Sequence, residues 1–232
     1  MGFSSILALF LAFLAGSSAS WISQESFHKW PANRAVQVLN DSPWARQETF
    51  TRVIRGVGSG ISGEKEIFNT YYVRFLSARP IREAYARIQQ IQHGYDKMSA
   101  EKKARFEAAQ LPNLDMNVTK YIVLSVSFRS NDPNEESSVR RFFQSETMET
   151  LKTKAYLSTP SCPQVELLAY FPQREESVGA KFVFPREVNG VPVLTKECPN
   201  ITLELLDVPG TNTRLRATFA TKPMIVGNQL VF

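Results

Sequence analysis

The chain has 232 residues, of which 43% are hydrophobic and 21% are charged, with a formal net charge of +5. This composition is typical of a globular protein with its own core, and it excludes a fibrous or intrinsically disordered chain. The basic residues are spread along the sequence rather than clustered, which argues against nucleic acid as a partner.

The first twenty residues have the pattern of a cleavable signal peptide. An apolar run at residues 6–15 is followed by small residues up to Ser20. The run suits the apolar core of a secretory signal and is too short to span a bilayer. Residues 1–20 are therefore predicted to be removed, and the protein to be exported to the periplasm, cell envelope or medium with no stable membrane span. No Lys or Arg precedes the run, so a buried N-terminal helix and an uncleaved anchor stay open as alternatives.

The three tryptophans, Trp21, Trp30 and Trp44, all lie in the first part of the predicted mature chain. Such an aromatic-rich region could bind a partner, and the alternative is that the rings anchor this segment to the core. A first helix is expected after Trp30 because a proline follows it, and proline suits a first helical turn. Its apolar face comprises Ala35, Val36, Val38 and Leu39, and the segment Asn40-Asp41-Ser42-Pro43 ends it.

The middle of the chain alternates between strand and helix patterns. Residues 48–57 and 67–76 predict two strands of a hairpin, joined by a glycine-rich loop. A helix with an apolar face is expected from Pro80 to Gly94, and a second, capped by Ser99, from residue 100 to a stop at Pro112. Residues 121–129 predict a strand. The next helix is capped by Asp132 and turns four apolar residues inward, namely Val139, Phe142, Phe143 and Leu151.

From residue 155 onward the pattern is β-rich. Short strands are predicted at residues 165–171, 181–184, 201–206, 214–219 and 224–232, with a hairpin turn at Asn189-Gly190. The sequence therefore predicts an α+β fold. Residues 21–154 are predicted to mix helices and strands, and residues 155–232 to be mainly antiparallel β. The two regions form either separate domains or one continuous domain.

Cys162 and Cys198 are the only cysteines. In an oxidising compartment an even pair predicts a disulfide, and two unpaired buried thiols are the alternative. Each cysteine precedes a proline and then a predicted strand. This similarity indicates either two related strands stapled at their starts or a chance match.

The sequence assigns no catalytic, cofactor-binding or metal-ligating residue. Gly58-Ser59-Gly60-Ile61-Ser62-Gly63 fits a dinucleotide-binding pattern, but a strand rather than a helix is expected after it. His28 and His93 do not have the spacing of a metal site. The adjacent pairs Glu135-Glu136 and Glu175-Glu176 are better explained by solvation and helix-terminal charge than by the paired carboxylates of a glycosidase.

Four segments resemble a group of uncharacterised exported bacterial proteins. They are VLNDSPWA at residues 38–45, YVRF at 72–75, SARPIR at 77–82 and FVFP at 182–185. The resemblance implies a bacterial origin and export, and it implies no activity.

The functional hypothesis is an exported, non-catalytic protein that binds a partner protein or a component of the cell envelope. The alternative is an exported hydrolase with a dispersed Ser/His/acid or paired-carboxylate site. A hydrolase should bring an acid or histidine to a nucleophile in a pocket, whereas a binding protein should expose an apolar patch or an open sheet edge.

Overall fold

The computed structural model of the protein describes residues 25–55, 64–174 and 178–232. The predicted signal peptide, Trp21, the glycine motif and Glu175-Glu176 lie outside these residues. Within them, no helix combines the length and the apolar composition that crossing a membrane requires.

The fold is α+β, as predicted, and its C-terminal part consists mainly of antiparallel strands. The α-helices of the described chain are α1 (Ala32–Asn40), α2 (Arg79–Gln92), α3 (Ala100–Leu114), α4 (Pro133–Ser145) and α5 (Met148–Leu151). Its strands are β1 (Ala45–Arg55), β2 (Glu64–Phe75), β3 (Tyr121–Ser130), β4 (Ala155–Ser158), β5 (Val165–Glu166), β6 (Ala169–Phe171), β7 (Ala180–Pro185), β8 (Glu187–Val188), β9 (Val191–Pro192), β10 (Asn200–Leu206), β11 (Arg214–Ala220), β12 (Ile225–Val226) and β13 (Gln229–Leu230).

Two antiparallel sheets form the centre of the molecule. The first has the order β1-β2-β3-β7-β6 and the second the order β11-β10-β4-β5. Because β6 and β7 pair into the first sheet beside β3, the chain after residue 155 contributes to both sheets. One hydrophobic cluster contains buried residues from both sides of residue 155.

The inner face of the five-stranded sheet packs on the second sheet. Its side chains alternate along β2, where Tyr71, Val73 and Phe75 are fully buried. The rings of Phe75 and Phe219, which lies on β11, meet edge to face with centroids 4.7 Å apart. Helix α4 covers another part of this face, where Phe143 packs against Phe182.

The outer face of the five-stranded sheet carries α2. The side chain of Arg74, on β2, is buried and donates to the hydroxyl of Tyr85 on α2 at 3.1 Å. Its Nε donates to the carbonyl oxygen of Leu39 at 2.6 Å and its Nη2 to Oδ1 of Asn40 at 2.8 Å. The last carbonyls of a helix lack intrahelical partners and carry partial negative charge, so this guanidinium completes the C-terminus of α1. Leu39 and Asn40 belong to the segment VLNDSPWA, and Arg74 belongs to YVRF. These two segments, which resemble those of exported bacterial proteins, thus meet in one hydrogen-bonded cluster.

Most local predictions are confirmed. Ser99 caps α3, Asp132 caps α4, and Gly94 ends α2 in a left-handed conformation with φ of 68°. Asn189 and Gly190 both have positive φ, as a two-residue hairpin turn requires, and they join β8 to β9.

Several details differ from the sequence predictions. The strand predicted at residues 224–232 is the antiparallel pair β12 and β13, and the helix capped by Asp132 ends at Ser145, so Leu151 lies on the separate helix α5. Val36 is exposed, because it lies off the buried face that Ala35, Val38 and Leu39 form. Helix α3 continues through Pro112 to Leu114, since a proline near a helix end removes only one hydrogen bond. The single strand predicted at residues 165–171 is two strands, because β5 joins the second sheet and β6 the first.

Candidate functional site

Trp30 and Trp44 are core residues. Their rings anchor the N-terminal segment to the core, which was the alternative, and the prediction that these two rings bind a partner is wrong. Their exposed fractions are 4% and 0%. The Trp44 Nε1–H donates to the carbonyl oxygen of Val231 at 2.6 Å, which ties the start of β1 to the chain end. The partner-binding prediction for Trp21 falls on a residue outside the described chain.

The two histidines do not form a catalytic constellation. His28 shares a hydrogen bond with the side chain of Gln90, and its ring stacks on that of Tyr95 at 5.7 Å. The ring of His93 lies 5.5 Å from that of Phe106. Across the described ranges, no group of three or more His, Cys, Asp or Glu residues is arranged to hold a metal ion.

The carboxylates at the start of α4 are engaged in ion pairs. Glu135 accepts hydrogen bonds from Arg52 and from Asn69, and Glu136 accepts one from Arg129 at 2.8 Å. Their position in the first turn of α4 also matches the favourable end of the helix dipole. These contacts tie α4 to the first sheet.

Cys162 and Cys198 are both buried and both free in the structure. They precede β5 and β10, which flank β4 antiparallel on either side, so both cysteines lie at the same end of the second sheet. Sγ of Cys198 lies 3.9 Å from Oγ of Ser161, the neighbour of Cys162. Burial opposes ionisation of the Cys198 thiol, but hydrogen bonds from Thr195 and Ser161 outweigh it and lower the pKa. The sequence-predicted disulfide is not formed here and stays a prediction.

The most exposed apolar surface on the first sheet lies at its β6 edge, on the outer face. The pairing register places Val123, Val183 and Ala169 in one row across β3, β7 and β6. Lys181 and Phe171 form the neighbouring pair on the same face. These residues belong to an open cavity of about 630 Å³, here called the apolar shelf, which is lined by Met116, Asn117, Tyr121, Val123, Leu168, Ala169, Phe171, Lys181 and Val183.

Several large side chains of the apolar shelf are exposed to solvent. The exposed fractions are 43% for Tyr121, 51% for Leu168 and 56% for Phe171. Strand β6 is also an edge of this sheet, and no further strand of the described chain pairs with it. Contiguous exposed apolar surface beside a free sheet edge is typical of a binding site.

A second cavity, here called the cationic cavity, adjoins the apolar shelf between α2, α3 and the sheet. It has a volume of about 200 Å³ and is lined by Leu76, Arg82, Tyr85, Ala86, Gln89, Gln110, Asn113, Leu114, Met116, Val178 and Lys181. Met116 and Lys181 line both the cationic cavity and the apolar shelf. The two cavities are therefore adjacent, and together they are here called the groove.

The charge in the cationic cavity comes from Arg82 and Lys181. Arg82 donates to the carbonyl oxygens of Leu114, Leu76 and Ser77 at 2.6–3.0 Å, which positions its guanidinium without a carboxylate partner. Burial, followed by repulsion from Arg79, lowers the pKa of Arg82, and the carboxylates of Glu83 and Asp115 partly offset this. Lys181 is half-buried, and no ion pair with it occurs in the described chain.

A third cavity on the far side of Tyr85 and Val178 contains Arg74, Arg129 and Arg140. The donors of Arg74 are directed at Leu39, Asn40, Tyr85 and Ser127, and Arg129 is paired with Glu136. This cavity is therefore organised mainly by internal hydrogen bonds.

Sequence reasoning did not find the groove. One signal for it is present, because residues 121–124 and 182–184 are unbroken apolar runs instead of alternating apolar and polar residues. Such runs indicate a strand with apolar side chains on both faces. A scan of the chain against family models found no match, and searches of the curated proteins and of the solved structures found none either.

Proposed function

We propose that this is an exported, non-catalytic protein that binds a component of the cell envelope by an alkyl chain lying on the apolar shelf. The single observation that carries the proposal is the shelf itself, where Tyr121, Leu168 and Phe171 expose apolar surface beside the free edge of β6. A cavity of about 630 Å³ lies within the range of roughly 300–1,000 Å³ common for small-molecule sites.

The surroundings of the shelf favour binding over hydrolysis. Its lining has one titratable cation, Lys181, and one tyrosine, Tyr121, with no histidine, cysteine or carboxylate. A hydrolase of the dispersed type needs an acid or a base within hydrogen-bond reach of a nucleophile. The lining of the shelf offers apolar contact instead.

Export is supported by the apolar run at residues 6–15 and the small residues after it. Expression of the full chain in a bacterial host, followed by N-terminal sequencing of the protein from the extracytoplasmic fraction, tests this part. We expect a start at or next to Trp21. Exported protein that still begins with Met1 would contradict cleavage, and protein confined to the cytoplasm would contradict export.

Binding to the shelf is tested by titration with the neutral apolar dye N-phenyl-1-naphthylamine. We expect a saturable rise in fluorescence, and Phe171→Ser should weaken dye binding about tenfold because it removes buried apolar contact. Val191→Ser is the matched control, since Val191 is 49% exposed and lies on β9, away from the shelf. Equal losses in both variants, or no saturable binding by the wild type, would overturn the proposal.

A further inference from the structure

We infer that the ligand of the apolar shelf is an amphipathic anion, with its alkyl chain on the shelf and a small carboxylate or phosphate head group in the cationic cavity. The inference rests on the proposed function and adds the charge of the ligand to it. Its basis is the juxtaposition of an apolar surface with two cations that lack carboxylate partners.

The apolar and the charged part of the groove are adjacent. Met116 and Lys181 line both cavities, so a ligand on the shelf lies beside the cationic cavity. The register places Lys181 opposite Phe171 on one side and Ser125 on the other. The ammonium group therefore stands at the boundary between the two parts of the groove.

No carboxylate of the described chain forms an ion pair with either cation of the cationic cavity. The carboxylates of Glu83 and Asp115, which act on Arg82 electrostatically, are both paired with Arg79, at 2.9 and 3.7 Å. Arg82 itself is held by backbone carbonyls, and Lys181 has no carboxylate partner there. A half-buried cation without a counter-ion attracts an anion more strongly than a fully solvated one does, because the local dielectric constant is lower.

Neutral donors accompany the two cations. The side-chain amides of Gln89 and Asn113 line the same cavity, and each amide nitrogen can donate to an anionic oxygen. The cationic cavity, at about 200 Å³, is much smaller than the shelf, at about 630 Å³. This difference in size fits a small head group on a longer apolar chain.

The test compares amphiphiles that share a chain and differ in the head group, by isothermal titration calorimetry below the critical micelle concentrations of the anions and the solubility limit of the alcohol. The probes are dodecanoate, dodecyl phosphate and the neutral dodecanol, with acetate and inorganic phosphate as head groups alone. We expect each long-chain anion to bind at least tenfold more tightly than dodecanol, and the head groups alone to bind weakly. A preference for one of the two anions assigns the ligand to fatty-acid or phosphate-ester chemistry.

The variant Lys181→Gln separates charge from apolar contact. It should reduce the preference for the anions over dodecanol to less than about threefold. Lys222→Gln is the matched control, because Lys222 is exposed and lines neither part of the groove. Lys181 is chosen over Arg82, whose three bonds to backbone carbonyls make its loss a risk for folding.

The outcomes test the charge of the ligand separately from binding to the apolar shelf. If dodecanol binds as tightly as dodecanoate, or if Lys181→Gln keeps the full anion preference, the inference about charge fails and the proposed function stands. If no long-chain probe binds, the proposed function fails as well. Tight binding of inorganic phosphate alone would show an anion site that does not use the shelf, and that too overturns the inference.

Discussion

The Arg74 guanidinium donates to the carbonyl oxygen of Leu39 across 2.6 Å and so joins the second strand of the main sheet to the C-terminus of the first helix. Arg74 is 7% exposed, and its hydrogen-bond partners are neutral groups. The negative end of the α1 dipole therefore supplies part of the compensation that a carboxylate usually gives a buried cation.

Replacing Arg74 by Met should destabilise the protein by about 3 kcal/mol, because it leaves the buried carbonyl of Leu39 and the partly buried side-chain oxygen of Asn40 without donors. Arg74→Lys should recover only part of this loss, since one ammonium group cannot reproduce the geometry of the guanidinium. Urea unfolding followed by circular dichroism measures both changes. The control Arg129→Met removes an exposed ion pair and should change the stability by no more than about 0.5 kcal/mol. Equal effects at the two positions would contradict the role of Arg74.

Replacing Trp44 by Phe removes the N–H that donates to the carbonyl of Val231 and leaves a small void in the core. We expect a loss of about 1–3 kcal/mol, together with faster removal of the last residues by carboxypeptidase, because one of the contacts that hold the C-terminal segment is lost while those of Arg186 with Phe232 remain. Val36→Ala, at an exposed position of α1, should leave both measurements near the wild-type values. Unchanged carboxypeptidase digestion of Trp44→Phe would show that this hydrogen bond does not hold the C-terminal segment.

The ion pair between Asp96 and Arg87 makes the stability of the protein depend on pH. A hydrogen bond from the nearly buried Arg87 guanidinium lowers the pKa of Asp96 below its ordinary value of about 3.9. The carboxylate therefore contributes stability above pH 4, and that contribution is lost as the pH falls through the lower folded-state pKa. The urea midpoint of Asp96→Asn should lie below that of the wild type at pH 7, and the gap should narrow toward pH 3.

The control for this pH dependence is Glu101→Gln, because Glu101 pairs with Arg105 on the exposed face of α3. Exposed pairs contribute little, so this variant should track the wild type at both pH values. A gap for Asp96→Asn that stays constant from pH 7 to pH 3 would show that the ion pair is not the source of its effect.

Non-reduced protein recovered from the extracytoplasmic fraction should have no titratable thiols if Cys162 and Cys198 form the predicted disulfide. Both cysteines lie at one end of the second sheet, and closing this loop would stabilise by about 2–4 kcal/mol. Thiol titration in denaturant measures this directly, with the Cys162→Ser/Cys198→Ser variant as a blank. Two titratable thiols would establish the free pair seen in the structure as the state of the protein in this fraction.

Local signals in the sequence predict local structure well. The cap at Asp132, the proline after it and the acids of the first turn predict the start of α4, because each acts on backbone groups within four residues. The turn at Asn189-Gly190 is predicted for the same reason. The signals for these elements are complete within a short stretch of chain.

The candidate site was not predictable in this way, because it depends on which strands become neighbours. Val123 and Val183 are opposite each other only because β3 pairs with β7, and nothing near either residue indicates that partner. The tryptophans were predicted as possible binding residues for a related reason. A large aromatic residue is compatible with a surface site or with the core until the packing is known. Trp30 and Trp44 are core residues, whereas the exposed aromatic rings of the apolar shelf belong to Tyr121 and Phe171.

The pairing of β3 with β7 also has a consequence for how the chain acquires its structure. Val126 lies opposite Ala180, so the middle of the main sheet closes a loop of more than fifty residues. Contacts that distant in sequence form slowly, since their loop-closure entropy is lost before packing offsets it. During synthesis the sheet cannot be completed until residues 180–185 have left the ribosome, and up to that point the edge of β3 stays open to chaperones.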